Sequence, residues 1–196
     1  GFGLYNTRTG EHKMLVKFEN VDVSTFVRDF NFQVYAVQSD MHYPAIHYLS
    51  QKHPLARVRQ FLQQSFPNQT ISFTSVTRDS SQVVAYIYGD QHPGQYVLVD
   101  LKAQKVEKLF DSRPKLKPEQ LAQTHPIEIT ARDGETVYAY LTEAPGVAKP
   151  GPMVVSLHGG PHGVRDYWGY NPESQMLASL GIHVLQINFR GSGGYG

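Results

Sequence analysis

A short apolar run leads directly into a glycine pair in the sequence MVVSLHGGPH, residues 153–162. An apolar run of this length, here Met153–Leu157, is typical of a strand that is buried on both faces of a parallel sheet. The glycines that follow allow the backbone to turn sharply and to direct N–H groups into a cavity. The stretch therefore predicts a strand of a parallel sheet, followed by a loop at the edge where such sheets bind ligands.

Helix signals and a second strand follow the glycine pair. Asn171 is a favourable N-cap, Pro172 suits the first helical position, and Glu173 suits the positive helix start. The helix should end before Gly181. Its apolar stripe is expected at Met176, Leu177 and Leu180. The apolar run Ile182–Phe189 then predicts a second buried strand, and this order predicts a parallel pair with a right-handed crossover.

Residues 71–110 contain four short strand patterns separated by turn-forming residues. The patterns are Ile71–Val76, Gln82–Tyr88, Gln95–Leu101 and Lys105–Phe110. Gln33–Val37 aligns with Gln82–Tyr86 at an offset of 49 residues, and Leu4–Arg8 resembles Leu98–Lys102 at about twice that offset. A period of about 45 to 50 residues is typical of propeller blades, although such short matches also arise by chance among β-hairpins. We expect residues 71–110 to form one four-stranded blade, with Gln33–Leu49 in its neighbour.

Three segments between these regions have patterns of their own. Apolar residues recur at helical spacing in Pro54–Phe66, which predicts a packing helix or, alternatively, a gate over the propeller mouth. Asp111–Pro126 is proline-rich and is expected to be a linker with a short helix at Glu119–Gln123. Two alternating runs, Ile127–Thr130 and Thr136–Leu141, predict a hairpin. Asp133-Gly134 between them is typical of a type I′ turn.

Three blocks of the sequence together resemble the S9 prolyl oligopeptidase family of serine peptidases. They are LHGGPH at 157–162, WGYNPE at 168–173 and QINFRGSGGYG at 186–196, and the closest branch is the acylaminoacyl-peptidase and dipeptidyl-peptidase one. The resemblance implies a mixed fold: β-propeller blades over residues 1–118, then the N-terminal part of an α/β-hydrolase fold over residues 119–196. It also implies hydrolysis of peptides through an acyl-enzyme.

One loop of this sequence is predicted to take part in that chemistry. Esterases and lipases use an H-G-G loop to supply one oxyanion donor, and the resemblance carries this role to the backbone N–H of Gly160. His158, Gly159 and Arg190 are expected to support the loop. No metal or other cofactor is expected, and the partner is a peptide or oligopeptide.

The sequence departs from the family at the nucleophile, because it contains no G-x-S-x-G motif. The serine of Gly191-Ser192-Gly193 has the wrong register, so Ser192 is expected to be a structural turn residue. His158 and His162 are expected to be loop residues and not the catalytic base. The resemblance implies that all three triad residues lie beyond Gly196, so this chain alone should be inactive. The interrupted sheet should leave apolar side chains exposed or covered by another copy of the chain, at Val154, Val155, Ile187 and Phe189.

Three alternatives stay open. Gly191, Gly193 and Gly196 form G-x-G-x-x-G, which is typical of dinucleotide binding when a helix and an acidic residue follow. The chain also suits a non-catalytic propeller binding module. A metal site is disfavoured, because the glycines between His158 and His162 preclude a helix that would align them. Three further histidines lack carboxylates at metalloprotease spacing: His42, His47 and His53.

Composition excludes further classes. Hydrophobic residues make up 40% and charged residues 18%, which supports a packed core and argues against disorder. The net charge of +1 gives no basic field for nucleic acid, and no apolar run approaches the ~20 residues of a membrane helix. The absence of cysteine leaves the compartment open between cytoplasm and periplasm. The chain begins within a strand pattern, so further sequence is expected before Gly1.

Overall fold

The computed structural model describes residues 1–160 and 162–195; Pro161 and Gly196 lie outside the described residues. Within the described residues, the chain forms four β-sheets, two α-helices and a 3₁₀ helix. The first three sheets are antiparallel and follow one another along the chain. Their strands are β1 (Phe2–Tyr5) and β2 (His12–Val16); β3 (Val23–Arg28), β4 (Val34–Ser39) and β5 (Ala45–Tyr48); and β6 (Thr70–Val76), β7 (Gln82–Tyr88), β8 (Gln95–Asp100) and β9 (Lys105–Asp111).

The four-stranded sheet predicted at residues 71–110 is confirmed, and residues 33–49 contribute to a separate sheet. The internal repeat also has a counterpart in hydrogen bonding. Asn6 Oδ1 accepts from two following backbone N–H groups at 3.0 and 3.2 Å. Asp100 Oδ1, at the matching position, does the same at 3.0 and 2.8 Å. Both side chains close the turn between two strands of a sheet, so the Leu4 and Leu98 segments are structurally alike.

Helix α1 (Pro54–Ser65) packs between the three-stranded and four-stranded sheets. Leu55 and Leu62 are fully buried and share one core with Tyr35 of β4 and Val83 of β7. The structure therefore supports the packing interpretation of this helix. Subtracting the 49-residue repeat offset from the residue numbers of β9 gives residues within α1. The helix therefore takes the sequence position that a fourth strand of the three-stranded sheet would have.

The linker is shorter than the sequence predicted. Strand β9 continues to Asp111, and β10 (Gln123–Thr130) begins where the short helix was expected to end. A 3₁₀ helix forms at Pro118–Gln120 and not at 119–123, because the following residues are recruited into buried contacts. Ala122 is 2% exposed and donates its N–H to Gln175 Oε1 at 2.7 Å.

The fourth sheet has the order β10-β11-β13-β12, with β11 (Thr136–Glu143), β12 (Met153–Leu157) and β13 (His183–Asn188). The pair β12–β13 is parallel, as predicted, and α2 (Pro172–Ser179) connects the two strands.

The predicted β10–β11 hairpin is confirmed, but the prediction of a type I′ turn is wrong. Of the described turn residues Asp133 and Gly134, only Gly134 has a positive φ, at 88°. Ala131 and Glu135 close the turn with a 2.8 Å hydrogen bond, which gives a three-residue loop with glycine in the left-handed position.

Two burial predictions for this sheet are wrong. Helix α2 buries Ser174, Gln175 and Ala178, whereas Met176 and Leu180 are 56% and 70% exposed. The helix is turned this way because its polar side chains hydrogen-bond to the chain beneath it. Strand β12 is not buried on both faces: Val155 is 53% exposed, because β12 is an edge strand that pairs only with β13. Exposure was expected at four side chains; it occurs at Val154 and Val155, while Ile187 and Phe189 are half-buried.

Candidate active site

Two loops meet at the carboxyl ends of β12 and β13, where ligands collect in parallel sheets. We call them the oxyanion loop (residues 158–171) and the glycine loop (residues 189–195). They are joined by backbone hydrogen bonds: Gly193 N donates to Val164 O at 3.0 Å, and Gly163 N donates to Gly191 O at 3.2 Å. A Cβ added to Gly193 would lie 2.8 Å from Gly163 O, so only glycine permits this approach.

His158 connects the two loops through its side chain. Its ring stacks on Phe189 with a centroid distance of 4.4 Å and an interplanar angle of 19°. Nε2 lies 2.8 Å from Ser192 Oγ, and Nδ1 lies 2.9 Å from Gly159 O. The nitrogen that would face an aspartate in a catalytic triad therefore faces a backbone carbonyl here.

Gly160 is exposed at the tip of the oxyanion loop, with a φ of 133°. This conformation favours glycine, and a Cβ added there would lie 3.2 Å from His162 N. Among the hydrogen bonds between described residues, none uses the Gly160 N–H, so this donor is free. His162 is also exposed, and Pro161 of the H-G-G-P motif lies outside the described residues.

A buried polar network underlies the loops, and the sequence analysis missed it. Asp166 N donates to Asn188 Oδ1 at 2.7 Å, while Asn188 Nδ2 and Arg165 Nη2 donate to Tyr195 Oη at 2.8 and 2.6 Å. Gln186 Nε2 donates to Asp166 Oδ1 at 3.0 Å. The signal was present, because Gln186 and Asn188 are two positions apart in a strand and therefore share one face.

The electrostatics of this network follow from burial. Burial raises the pKa of Asp166, and the nearby charges of His158 and Arg165 and the Gln186 hydrogen bond oppose this shift. Burial also raises the pKa of the Tyr195 hydroxyl, again opposed by Arg165. The Arg165 guanidinium lies 4.1 Å from the centroid of the Tyr195 ring, which gives this cation an aromatic partner.

Arg190 has a different partner from the one expected. Its Nη1 lies 2.6 Å from Asp133 Oδ2, so it braces the β10–β11 hairpin and not the glycine pair. Both side chains are largely exposed. The hydrogen bond from Arg190 lowers the pKa of Asp133.

The geometry gives little support to the alternative sites. The peptide groups of Gly191 and Gly193 already bond to the oxyanion loop, and Gly196 lies outside the described residues. Within residues 1–160 and 162–195, no three potential metal-ligating side chains cluster. His42, His47 and His53 lie apart, 3.0 Å from Glu128, 2.9 Å from Ser39 and 3.3 Å from Asp29. No helix in the described part is long and apolar enough to cross a membrane.

The loops also contact the earlier sheets. Asp22 N donates to Gly194 O at 2.9 Å, so the glycine loop is fastened to the segment before β3. Tyr140 Oη donates to His42 O at 2.9 Å, and burial raises the pKa of this hydroxyl to about 12. Trp168 Nε1 donates to Thr124 O at 3.0 Å. The oxyanion loop is therefore held between the last sheet and the sheets that precede it.

Comparison with known proteins places this geometry among peptidases. The chain is 40% identical over 131 residues to dipeptidyl aminopeptidase BIII of Pseudoxanthomonas mexicana, covering 63% of this chain and 19% of that protein. It is 31% identical over 160 residues to dipeptidyl peptidase family member 6 of Caenorhabditis elegans, covering 70% and 21%. The resemblance to the S9 prolyl oligopeptidase family is confirmed. The chain spans about a fifth of the length of these curated relatives.

Solved structures share the fold. A puromycin-hydrolyzing peptidase of Mycobacterium tuberculosis matches with a TM-score of 0.63 and 22% identity, covering 95% of this chain and 30% of that one. A prolyl endopeptidase structure matches with a TM-score of 0.64 and 14% identity, covering 99% and 28%. No family model matches the sequence.

Proposed function

We propose that this chain is part of an S9 serine peptidase that hydrolyses peptides through an acyl-enzyme, and that Gly160 supplies one oxyanion donor. The observation that carries the proposal is the free N–H of Gly160, exposed on a loop at the carboxyl end of a parallel strand. Relatives named as dipeptidyl aminopeptidase and acylamino-acid-releasing enzyme support a peptidase. In this proposal residues 1–118 supply propeller blades and residues 119–196 begin the α/β-hydrolase domain.

The proposed reaction begins when a serine outside this sequence attacks the substrate carbonyl carbon. The carbonyl oxygen becomes negatively charged, and the Gly160 N–H donates a hydrogen bond to it. The second donor is the backbone N–H that follows the nucleophile. The amine leaves with a proton from the catalytic base, and water then hydrolyses the acyl-enzyme to regenerate the serine.

Exposed apolar surface supports the proposal that later strands of the sheet complete this domain. Val155 and Leu157 on β12 are 53% and 63% exposed, and Leu180 beyond α2 is 70% exposed. Strand β12 has β13 on one side only, so its other edge can accept a further strand. In the chain alone, this surface would favour self-association.

The proposal is tested in the full-length protein with Gly160→Pro, which deletes the N–H. Gly160→Ala keeps the N–H and controls for the strain that any side chain meets at a φ of 133°; proline adds its own restriction of φ to about −65°. Losing one oxyanion donor typically costs about 10² to 10³ in kcat. We expect kcat for a peptide amide to fall by that factor from the alanine to the proline variant, with a much smaller change in KM.

Equal kcat values for the two folded variants would contradict the role of Gly160. A full-length wild-type protein that hydrolyses no peptide amide and takes no fluorophosphonate label would instead favour the binding module. Melting temperatures of both variants establish that they are folded. The isolated chain, tested in the same way, should show no labelling of any serine.

A further inference from the structure

The two ring nitrogens of His158 have different partners, and this determines which one carries the proton. Nδ1 faces the Gly159 carbonyl oxygen at 2.9 Å, and a carbonyl can only accept, so Nδ1 must carry hydrogen. In the neutral ring Nε2 is then an acceptor, and the Ser192 hydroxyl 2.8 Å away is its donor. The Ser192 hydroxyl can donate or accept, so it fits the tautomer that the Gly159 carbonyl requires and holds the ring in place through Nε2.

The carbonyl that His158 holds belongs to the same peptide unit as the Gly160 N–H. A trans peptide is planar, and its C=O and N–H point in opposite directions. Fixing the direction of the Gly159 C=O therefore fixes the direction of the Gly160 N–H. That N–H is the proposed oxyanion donor.

Little else restrains this peptide unit. A Cβ added to Gly159 would have no neighbour within 4 Å, so the residue lies in open space. Gly160 is exposed as well, and neither residue has a side chain to pack. The ring of His158, by contrast, is stacked on Phe189 and bonded to Ser192, both in the glycine loop. The glycine loop is in turn bonded to the oxyanion loop at Gly163 and Val164.

We propose that Ser192 is a positioning residue that acts through His158 to orient the Gly160 N–H. This inference rests on the proposed function and extends it to a second loop. The Ser192 hydroxyl holds the His158 ring through Nε2, Nδ1–H holds the Gly159 carbonyl, and the peptide plane transmits that restraint to the donor. The serine is not a nucleophile, because the other nitrogen of its histidine faces a carbonyl and not a carboxylate.

The test is a double-mutant cycle in the full-length protein, with kcat and KM measured on a peptide amide. Ser192→Ala should lower kcat by about tenfold, less than the loss of a donor, because the N–H remains but is less well oriented. KM should stay within about twofold, and Ser192→Thr, which keeps the hydroxyl, should restore kcat to within about threefold of wild type.

His158→Asn supplies the second arm. Its amide N–H can reach the Gly159 carbonyl from the position of Nδ1, and it has no counterpart of Nε2 for Ser192 to hold. Ser192→Ala should therefore have less than about a twofold effect on kcat in the His158→Asn background. The same tenfold loss in both backgrounds, an unchanged kcat in Ser192→Ala, or fluorophosphonate labelling of Ser192 would overturn the inference. A wild type without any hydrolysis or labelling would refute the proposed function itself, which separates the two failures.

Discussion

The sheets before residue 112 and the sheet after residue 122 are stabilised in different ways. The three-stranded and four-stranded sheets before residue 112 share one apolar core with α1, in which Tyr35, Leu62 and Ile87 are fully buried. The last sheet and α2 bury a small alanine cluster and single larger side chains such as Tyr140 and Val184, and they also depend on polar contacts such as those of Gln175. Several of their other large apolar side chains lie at the surface. The first region thus has an apolar core of its own. The second region is held by polar contacts, and several of its apolar side chains remain exposed.

The two regions should therefore differ in how much hydrophobic burial stabilises them. Hydrophobic burial is the dominant favourable term in folding, and the earlier region already has it. The later region exposes Val155, Leu157 and Leu180, which a stable domain would bury. Specific hydrogen bonds can orient α2 without supplying comparable free energy, since one such bond contributes only about 1 kcal/mol net.

The largest effect is expected in the apolar core. Leu62→Ala removes a fully buried side chain from α1 and should lower the free energy of unfolding of the full-length protein by about 2–5 kcal/mol. Phe61→Ala, one residue earlier on the same helix, is the control, because Phe61 is 52% exposed and should change stability by about 0.5 kcal/mol at most. Urea unfolding monitored by circular dichroism measures both. Equal effects would show that α1 does not carry the core of the earlier region.

A smaller loss of stability is expected when the hydrogen bonds of α2 are removed. The Gln175 amide accepts from Ala122 N at 2.7 Å and donates to Ala122 O at 2.8 Å. Gln175→Leu leaves both backbone groups buried without partners, which should cost about 1–3 kcal/mol in the same unfolding experiment. Gln175→Glu keeps the acceptor for the Ala122 N–H but places a buried carboxyl oxygen against the Ala122 carbonyl, so it should cost at least as much. If the leucine variant is as stable as wild type, the polar description of this region is wrong.

Sequence patterns predicted the elements but not their orientation. The four strands of residues 71–110, helix α1 and the parallel pair β12–β13 follow from periodicity and turn residues, which act locally. The face that α2 buries did not follow from its pattern. An apolar stripe predicts burial only when the chain supplies a partner surface, and here the polar side of the helix has the partner.

The candidate site was predictable at the level of motifs. The H-G-G sequence pointed to Gly160, which is exposed and whose N–H has no hydrogen-bond partner among the described residues. The contact between His158 and Ser192 joins residues 34 positions apart. No periodicity reports a contact of that range, because it depends on how two loops meet after the sheet has formed. Arg190 was expected to support the loop, and its contact with Asp133 was not predictable for the same reason.

The smallest expected effect is the contribution of Asp166 to the pH dependence of folding stability. It tests the polar network beneath the loops most directly. Burial raises the pKa of Asp166 in the folded state above its value in the unfolded state. At pH values between these two pKa values, the folded state therefore binds more protons than the unfolded state. The contribution of Asp166 to stability should therefore fall as pH rises from the unfolded pKa through the raised folded pKa. Asp166→Asn keeps the oxygen that accepts from Gln186 and removes the charge, so it should remove this decline.

Asp133 provides the control with the opposite sign. The Arg190 hydrogen bond lowers its folded-state pKa, so its contribution is present above the unfolded pKa and is lost as pH falls through the folded value. Melting temperatures of the wild type and both asparagine variants, measured from about pH 3 to pH 7, should diverge in opposite directions around the carboxyl range. For Asp166→Asn the gain relative to wild type should grow with pH, whereas for Asp133→Asn the loss should grow. Parallel curves for Asp166→Asn and wild type would mean that this carboxylate is solvated, and that the network beneath the loops is open to water.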